Sequence, residues 1–445
     1  MHDRIRQTIS AIGEPDVPAM NWARRRHEQL TKPPGSLGRL EELAIRIVGI
    51  TGRVPPEIRR KAVVTAAADH GVAAEGVSAY PSEVTAQMVQ NFLRGGAAIN
   101  VLARGAGADV VVVDAGVAAE LPPDPRLVRR AVRRGTANFA HGPAMERHEA
   151  EQAIAHGIEI AEDLHDQGID LLGTGDMGIG NTTASSAITA VLTGKPVAAV
   201  TGRGTGITVE QLRTKIAVIE RAIAVNQPDP TDPLDVLSNV GGLEIATLVG
   251  VMLGGAARRV PVVIDGFISG AAALVATELA PQVGFFLIAA HSSVEIGHRA
   301  ILEHLEKAPL LNLDLRLGEG TGAALAFPII EQAVRVLNEM ATFREAGVSG
   351  RSAPRETASR FAKRRLGYFH ALDGGIWDDP FLHADGRRYR HIVSTDLDRL
   401  IAWAESRGIS RSRIVRRDLR DFRNNRERVA AWHIDLGGPY LEIDP

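Results

Sequence analysis

The chain of 445 residues contains no cysteine. Without thiols it can form neither a disulfide nor a thiolate zinc site, and it cannot use a cysteine nucleophile. Long apolar runs are missing too, because the longest, residues 245–257, is rich in glycine and too short to span a bilayer. The polar N-terminus shows no apolar segment of a signal peptide. These absences predict a cytoplasmic protein without a membrane partner.

Charge and aromatic content are also low, but both are unevenly distributed. The formal charge is −2 at pH 7, which gives no reason to expect nucleic acid as a partner. Residues 351–445 hold 10 of the 19 aromatic residues and carry 19 Lys and Arg against 14 Asp and Glu, whereas the rest of the chain is acidic. Two compositions predict two modules, residues 1–350 and 351–445, with the boundary in the stretch 347–354.

What the chain does contain is a series of short, continuously apolar segments separated by helical patterns. Apolar runs without alternation, joined by helices, are typical of a parallel sheet covered on both faces. The sequence therefore predicts a Rossmann-like, three-layer α/β fold. The segments predicted as strands are 62–68, 109–113, 169–172, 196–200, 262–264 and 285–289. Residues 233–258, rich in small side chains, are predicted as one helix.

Polar residues follow most of these predicted strands. In open parallel sheets ligands bind outside the carboxyl ends of the strands. One such residue alone is explained by a helix cap or a loop hydrogen bond, but their recurrence predicts a shared cleft. The residues at the strand ends are Asp69, His70, Asp114, Asp176, Asn181, Arg203, Asp265, His291 and Ser293.

Two glycine-rich segments, 178–183 and 202–206, each precede a predicted helix. Free backbone amides at a helix N-terminus favour phosphate binding, and Lys215 supplies a matching charge. The candidate substrate-binding residues of these segments and the neighbouring strand ends are Gly175, Gly178, Gly180, Asn181, Thr182, Gly202, Arg203, Gly204, Lys215, Asp265 and Ser293.

A lone glutamate, Glu319, lies between Gly318 and Gly320, just before a helix predicted to start at about Thr321. An exposed carboxylate held in this way suits a general base, although a plain surface turn would also explain it. No HExxH or comparable metal-ligand spacing is present in the sequence. With Asp176 as a second carboxylate, this pattern favours displacement at a sugar carbon of a phosphorylated nucleotide, without metal or cofactor.

A dinucleotide-dependent oxidoreductase is an alternative, because Gly173, Gly175 and Gly178 match G-x-G-x-x-G. The acid expected about twenty residues later at the next strand end is missing, which disfavours this alternative. A P-loop is disfavoured as well, since no Gly-Lys-Ser/Thr follows. The Glu319 loop argues against a third possibility, a binding module without catalytic activity.

Several strings, in order from about residue 18 to about 343, resemble the nicotinate-nucleotide–dimethylbenzimidazole phosphoribosyltransferase family. The resemblance implies a large parallel-sheet domain, about 56–324, a small helical domain from about 1–55 and 325–345, and a homodimer. It does not extend to residues 351–445. Among the matching strings are KPPGSLGRLE, ADHGV, GDMGIGNTTASSAI, GRGTG and LRLGEGTGAALAFP.

The resemblance also implies a reaction and the residues that perform it. Phosphoribosyl passes from nicotinate mononucleotide to 5,6-dimethylbenzimidazole, a step of cobalamin biosynthesis that yields α-ribazole 5′-phosphate. Glu319 is implied as the general base and Asp176 as a supporting carboxylate, at a position where other members have glutamate. Tyr80 and Met88 fall in the segment that lines the pocket for the aromatic base. A purine or a phenol as acceptor remains the main alternative.

The C-terminal module has a strand-like segment at 391–395 and a helical one at 396–407, which predict a small α/β unit. The cluster at 377–379 and the basic segment 411–420 are compatible with metal or nucleic-acid binding. A folded appendage with a solvated basic face explains both more simply. The sequence assigns this module no function.

Overall fold

The computed structural model describes residues 1–349, 377–382, 388–407, 409–416, 419–421, 427–429 and 432–437. The chain divides into two compact units, Met1–Ala346 and Gly347–Pro445. The module boundary was predicted within residues 347–354. Of this stretch, residues 350–354 lie outside the described residues.

A sheet of six parallel strands forms the centre of the first unit, in the order β3-β2-β1-β4-β5-β6. Every residue of β1 is buried, as the apolar run predicted for a central strand. The order reverses between β1 and β4, and a cleft opens at such a point in doubly wound sheets. The predicted α/β fold is confirmed. The strands are β1 Lys61–Ala68, β2 Ala108–Gly116, β3 Leu127–Arg129, β4 Leu171–Met177, β5 Val262–Ile264 and β6 Leu287–Ala289.

Helices cover both faces of this sheet. Their bounds are α1 Asp3–Ala11, α2 Val17–Gln29, α3 Arg39–Thr51, α4 Glu83–Arg94, α5 Ala98–Gly105, α6 Arg147–Asp166, α7 Asn181–Thr193, α8 Val197–Val200, α9 Val209–Asn226, α10 Pro233–Val240, α11 Leu243–Ala257, α12 Phe267–Leu279, α13 Ile296–His304 and α14 Thr321–Glu339. Helix α14 packs against α2, α3 and α5, so it joins the N-terminal helices to the sheet. Within the described ranges, no helix is long and apolar enough to cross a bilayer.

The structure corrects four predictions about these elements. Residues 196–200 are not a strand, because the short helix α8 occupies 197–200 and lies partly exposed. The third predicted strand runs on to Met177, so Gly175 and Asp176 belong to β4 and not to a loop. The glycines at 241 and 242 divide the single helix predicted over 233–258 into α10 and α11. The three-residue strand β3 was not predicted at all.

The second unit contains a four-stranded antiparallel sheet, β7-β8-β12-β9, and a separate pair, β10-β11. Helix α15, Leu397–Glu405, starts where Asp396 accepts a hydrogen bond from the Arg399 amide at 3.0 Å. The predicted strand and helix at 391–407 are thus confirmed. The strands are β7 Trp377–Leu382, β8 Arg388–Ser394, β9 Ile414–Arg416, β10 Leu419–Asp421, β11 Glu427–Val429 and β12 Trp432–Gly437.

Candidate active site

The carboxyl ends of β1, β4, β5 and β6 meet at one edge of the sheet, where a cavity opens. His70 follows β1, Asp265 follows β5 and His291 follows β6. Asp114 does not join them, since its carboxylate accepts from the amides of residues 116 and 117 in its own turn. The sequence-predicted residues that line the cavity are Asp176, Gly178, Asn181, Thr182, Gly204, His291 and Ser293.

Asp176 is buried near the end of β4. Its Oδ2 accepts a hydrogen bond from Asn181 Nδ2 at 3.0 Å, and its Oδ1 has no hydrogen-bond partner in the part of the chain that the structure describes. Gly318 covers both oxygens, because a Cβ on that glycine would lie within 3.1–3.2 Å of them. Burial, and then the nearby negative charges of Asp265 and Glu244, raise the pKa of Asp176 well above its usual range.

Glu319 is held in a left-handed loop, with φ of +83°, +62° and +95° at residues 318, 319 and 320. Its side chain was predicted to be exposed, but only 5% of it is accessible. The reason is tertiary: Oε2 accepts a hydrogen bond from the Ile99 amide in the first turn of α5, at 3.2 Å. Burial raises the pKa of Glu319, while this amide acts in the opposite direction.

Asp265 lies behind the Glu319 loop and anchors it. Its Oδ2 accepts from the Gly320 amide at 3.2 Å, and its Oδ1 accepts from the amides of Gly322 at 2.6 Å and Ala323 at 3.2 Å. These are the free amides of the first turn of α14, which a carboxylate stabilises. Burial raises the pKa of Asp265 to about 7, and the three amides oppose this shift. The Asp265 carboxylate thus fixes the position of Glu319.

The two predicted phosphate segments lie side by side at the mouth of the cavity. Gly180, with φ of +99°, precedes α7, whose first turn contains Asn181 and Thr182. Lys215 in α9 is 1% exposed, and its Nζ donates to Thr182 Oγ1 at 2.7 Å. A Cβ on Gly204 would lie 3.4 Å from the same Nζ. Desolvation lowers the pKa of Lys215 to about 8, so the buried ammonium favours an anionic ligand.

Glu295 and Arg316, which line the same cavity, were not predicted from the sequence. Arg316 Nη1 donates to the Gly204 carbonyl at 2.9 Å. Glu295 lies under Gly202, where a Cβ would overlap its carboxylate, and it accepts from the Gly204 amide. Both side chains therefore fix the 202–206 segment. The cluster of polar residues that follows β6 in the sequence could have indicated Glu295. In the same cluster, His298 Nδ1 accepts a hydrogen bond from the Ser293 amide at 3.0 Å.

Three predicted residues lie away from the cavity. Tyr80 is 54% exposed, in a loop that approaches the 202–206 segment through a 3.4 Å contact between the Ala79 amide and Thr205 Oγ1. Met88, on α4, is partly buried and packs against the apolar cluster that contains Phe327. Arg203 is exposed, and its carbonyl accepts from the amides of residues 206 and 207.

A buried histidine–glutamate contact that no sequence pattern predicted lies beneath the 178–180 segment. His70 Nε2 is 2.7 Å from Glu244 Oε1, and both side chains are inaccessible to solvent. A Cβ on Gly178 would lie 3.3 Å from this imidazole, and one on Gly180 would lie 3.2 Å from His70 Cβ. The pair is therefore in direct contact with the segment that opens α7.

The dinucleotide fingerprint is not supported by the position of its glycines. Gly173 and Gly175 lie inside β4, whereas the fingerprint requires a turn between a strand and a helix. Gly173 is needed for packing, since a Cβ there would lie 2.9 Å from Phe327. Gly175 is needed because a Cβ would overlap the carbonyl of Glu319.

Comparison with known proteins gives a consistent result. A phosphoribosyltransferase family model matches residues 12–348. The chain belongs to this family. It is 63% identical over 343 residues to the nicotinate-nucleotide–dimethylbenzimidazole phosphoribosyltransferase of Chloroflexus aggregans, covering 77% of this chain and 97% of that protein. Identity to the enzyme of the same name from Geobacter sulfurreducens is 59%, with the same coverage of both chains.

A solved structure supports the family assignment. The crystal structure of CobT from Thermus thermophilus matches with a TM-score of 0.72 and 54% identity, over 75% of this chain and 99% of that one. The resemblance predicted from the sequence strings is therefore confirmed. The family match ends at residue 348, so it includes only the first two residues of the second unit, Gly347–Pro445.

Proposed function

We propose that this phosphoribosyltransferase family member transfers the phosphoribosyl group of nicotinate mononucleotide to 5,6-dimethylbenzimidazole. The products are α-ribazole 5′-phosphate and nicotinate, a step of cobalamin biosynthesis. One observation carries the proposal: a single loop, residues 318–320, contacts Asp176 and also holds Glu319. Gly318 lies against the carboxylate of Asp176, which lines the cavity, whereas the Glu319 carboxylate is directed toward α5. Two flat rings can therefore approach one sugar carbon from opposite faces.

The nucleotide is proposed to bind on the cavity side. Its phosphate is placed at the N-terminus of α7 and against the 202–204 segment, beside Lys215. Asp176 and Ser293 lie deeper in the cavity, nearer the ribose. The C1′–N bond is weak in this substrate because the leaving group is a cationic pyridinium, so its departure requires no metal ion.

The acceptor base is proposed to bind on the other side of the loop, in the region of α4 and α5 that includes Met88, with Tyr80 at its edge. A benzimidazole must lose its N–H proton as the other nitrogen attacks C1′. Glu319 takes this proton, and general-base catalysis of this kind contributes about 10²–10⁴-fold. Holding the two rings in line contributes much of the remaining rate enhancement. Attack from the opposite face inverts the β-nucleotide to an α-riboside.

An assay of the purified protein with nicotinate mononucleotide and a panel of bases tests the proposal. The panel contains 5,6-dimethylbenzimidazole, a purine and a phenol, and the products are identified by mass spectrometry and nuclear magnetic resonance. An α-N-riboside of dimethylbenzimidazole, formed fastest, is the expected result. Faster transfer to the purine or the phenol would assign the same chemistry to another acceptor. The homodimer implied by the family is measured on the same sample by sedimentation.

Lys215→Gln is expected to raise KM for nicotinate mononucleotide by about 10–100-fold with a smaller change in kcat. A hydrogen bond to a charged group contributes about 1.5–3 kcal/mol, and here the phosphate would lose its buried cation. Steady-state kinetics with the nucleotide varied measure the effect. Lys195→Gln is the matched control, because Lys195 is half exposed and pairs only with Glu303 in the described structure. Equal KM values for the two variants would rule out the phosphate role of Lys215.

Residues 1–348 are expected to form a stable, active transferase when expressed alone. The family match ends at 348, and every residue of the candidate site precedes that point. Sedimentation and kinetics of this fragment are compared with those of the full chain. An insoluble or inactive fragment would show that the second unit is part of the enzyme.

A further inference from the structure

Asp176 receives a hydrogen bond from one side-chain amide, whereas Asp265 beside it receives three from backbone amides. Its Oδ2 accepts from the Asn181 carboxamide, and its buried Oδ1 has no hydrogen-bond partner among the described residues. An ionised carboxylate offers about four acceptor positions, and burial without donors disfavours the charged form. The surroundings of Asp176 Oδ1 therefore favour its protonated form.

The neighbouring carboxylates have better surroundings for a negative charge. Asp265 accepts from three amides at the start of α14. Glu319 accepts from the Ile99 amide in the first turn of α5. Glu244 lies in the first turn of α11 and its Oε1 contacts the imidazole of His70, while its Oε2, like Asp176 Oδ1, has no partner within the described residues. A helix N-terminus or an imidazole stabilises each of these three, and Asp176 has neither.

The charged groups on the other sides of the cavity do not neutralise a negative charge on Asp176. Lys215 and Arg316 donate to Thr182 and to the Gly204 carbonyl. Glu295 adds a negative charge beside them. Burial lowers the pKa of His291, which keeps its imidazole neutral at pH 7. The charges nearest to Asp176 are the carboxylates of Asp265, Glu244 and Glu319, and they favour its neutral form.

We propose that Asp176 works as a neutral carboxylic acid whose Oδ1 hydroxyl donates a hydrogen bond to an acceptor oxygen of the bound nucleotide. This rests on the proposed function, which places the nucleotide in this cavity. The two carboxyl groups of the site then differ in charge because their environments differ: Glu319 is the ionised base and Asp176 the neutral donor. Asp176 thus positions the nucleotide and does not compete for the proton of the incoming base.

Replacement of Asp176 by asparagine and by alanine tests whether the side chain acts as a neutral acid or as an ionised carboxylate. In Asp176→Asn the carbonyl oxygen still accepts from Asn181, and the amide group donates from the position of Oδ1. We expect kcat/KM for the nucleotide to fall only a few-fold in this variant. Asp176→Ala leaves Asn181 and the nucleotide oxygen without a partner, and we expect a loss of about 10–100-fold. An asparagine variant as poor as the alanine variant would show that the ionised carboxylate is required.

Infrared difference spectroscopy tests the protonation state without any turnover, so its outcome is independent of the proposed reaction. Wild-type minus Asp176→Asn spectra of the full chain at pH 7 are expected to show the carbonyl band of a protonated carboxyl. The matched control is the exposed Asp109, paired with Arg60 at the surface, whose Asp109→Asn difference should show only carboxylate bands. Carboxylate bands for Asp176 as well would overturn the proposal. The pH profile alone is a weaker test, because burial also lowers the pKa of Lys215, which contacts the cavity residue Thr182, to about 8.

Discussion

Glu319→Gln is expected to lower kcat by about 100-fold or more while the protein keeps its fold and its affinity for nicotinate mononucleotide. Loss of a general base has an effect of about 10²–10⁴-fold. The glutamine carbonyl can still accept from the Ile99 amide, so the loop retains its tertiary anchor. Burial raises the pKa of Glu319, so the wild-type rate should fall toward acid pH as this carboxylate becomes protonated. The variant should lack that acid limb.

Rates, nucleotide dissociation constants and thermal midpoints of the variant are measured against Glu339→Gln. Glu339 is the exposed last residue of the same helix, α14, so this control removes an equal charge without touching the loop. The control should match the wild type in all three measurements. Near-wild-type turnover of Glu319→Gln, or an unchanged acid limb, would assign the base to another residue.

Gly175→Ala is expected to lower kcat by about 100-fold and to destabilise the protein by about 1–3 kcal/mol. A Cβ at this position would overlap the carbonyl of Glu319, which is backbone and cannot rotate away. The same carbonyl accepts from Thr65 Oγ1 at 2.9 Å, so the loop is held against both central strands. A displacement of about 1 Å at a catalytic group reduces activity about 10²-fold, and overpacking a core has the stated energetic effect.

Gly142→Ala is the control for this substitution. A Cβ at Gly142 would meet nothing within 4 Å, and its backbone is not in the left-handed region. The kinetics and the thermal midpoints of the two variants are compared with those of the wild type. A fully active Gly175→Ala protein would show that the Glu319 loop tolerates displacement, and the predicted role of the β4 glycines would then be wrong.

The parallel sheet and its cleft were predictable because their signals are local. A central strand such as β1 is buried on both faces and therefore apolar at every position, which a short window of sequence reveals. The same rule failed at 197–200, where an apolar run of four residues is too short to separate a strand from a helix. It also missed β3, in which three residues add an edge strand after a proline-rich segment.

The sequence predicted individual residues of the candidate site but not how they are arranged in space. The glycines around Glu319 indicated a tight loop, and the segments that open α7 and α9 indicated anion binding. The sequence did not show that Glu319 is buried, because the amide that it accepts from is 220 residues away. Nor did it show that Asp265 anchors the loop through three amides of α14, or that Glu244 pairs with His70 across 174 residues.

Periodicity and residue type thus determined the class of fold, the order of its elements and the residues with suitable chemistry. Tertiary structure alone decided which of these residues share an environment, and so the charge that each carries. The physical reason is that the pKa of a buried carboxyl depends on desolvation, donors and neighbouring charges, all of which come from distant segments. Asp176 and Glu319 carry the same functional group, and their different surroundings are the basis for proposing one as a neutral donor and the other as an ionised base.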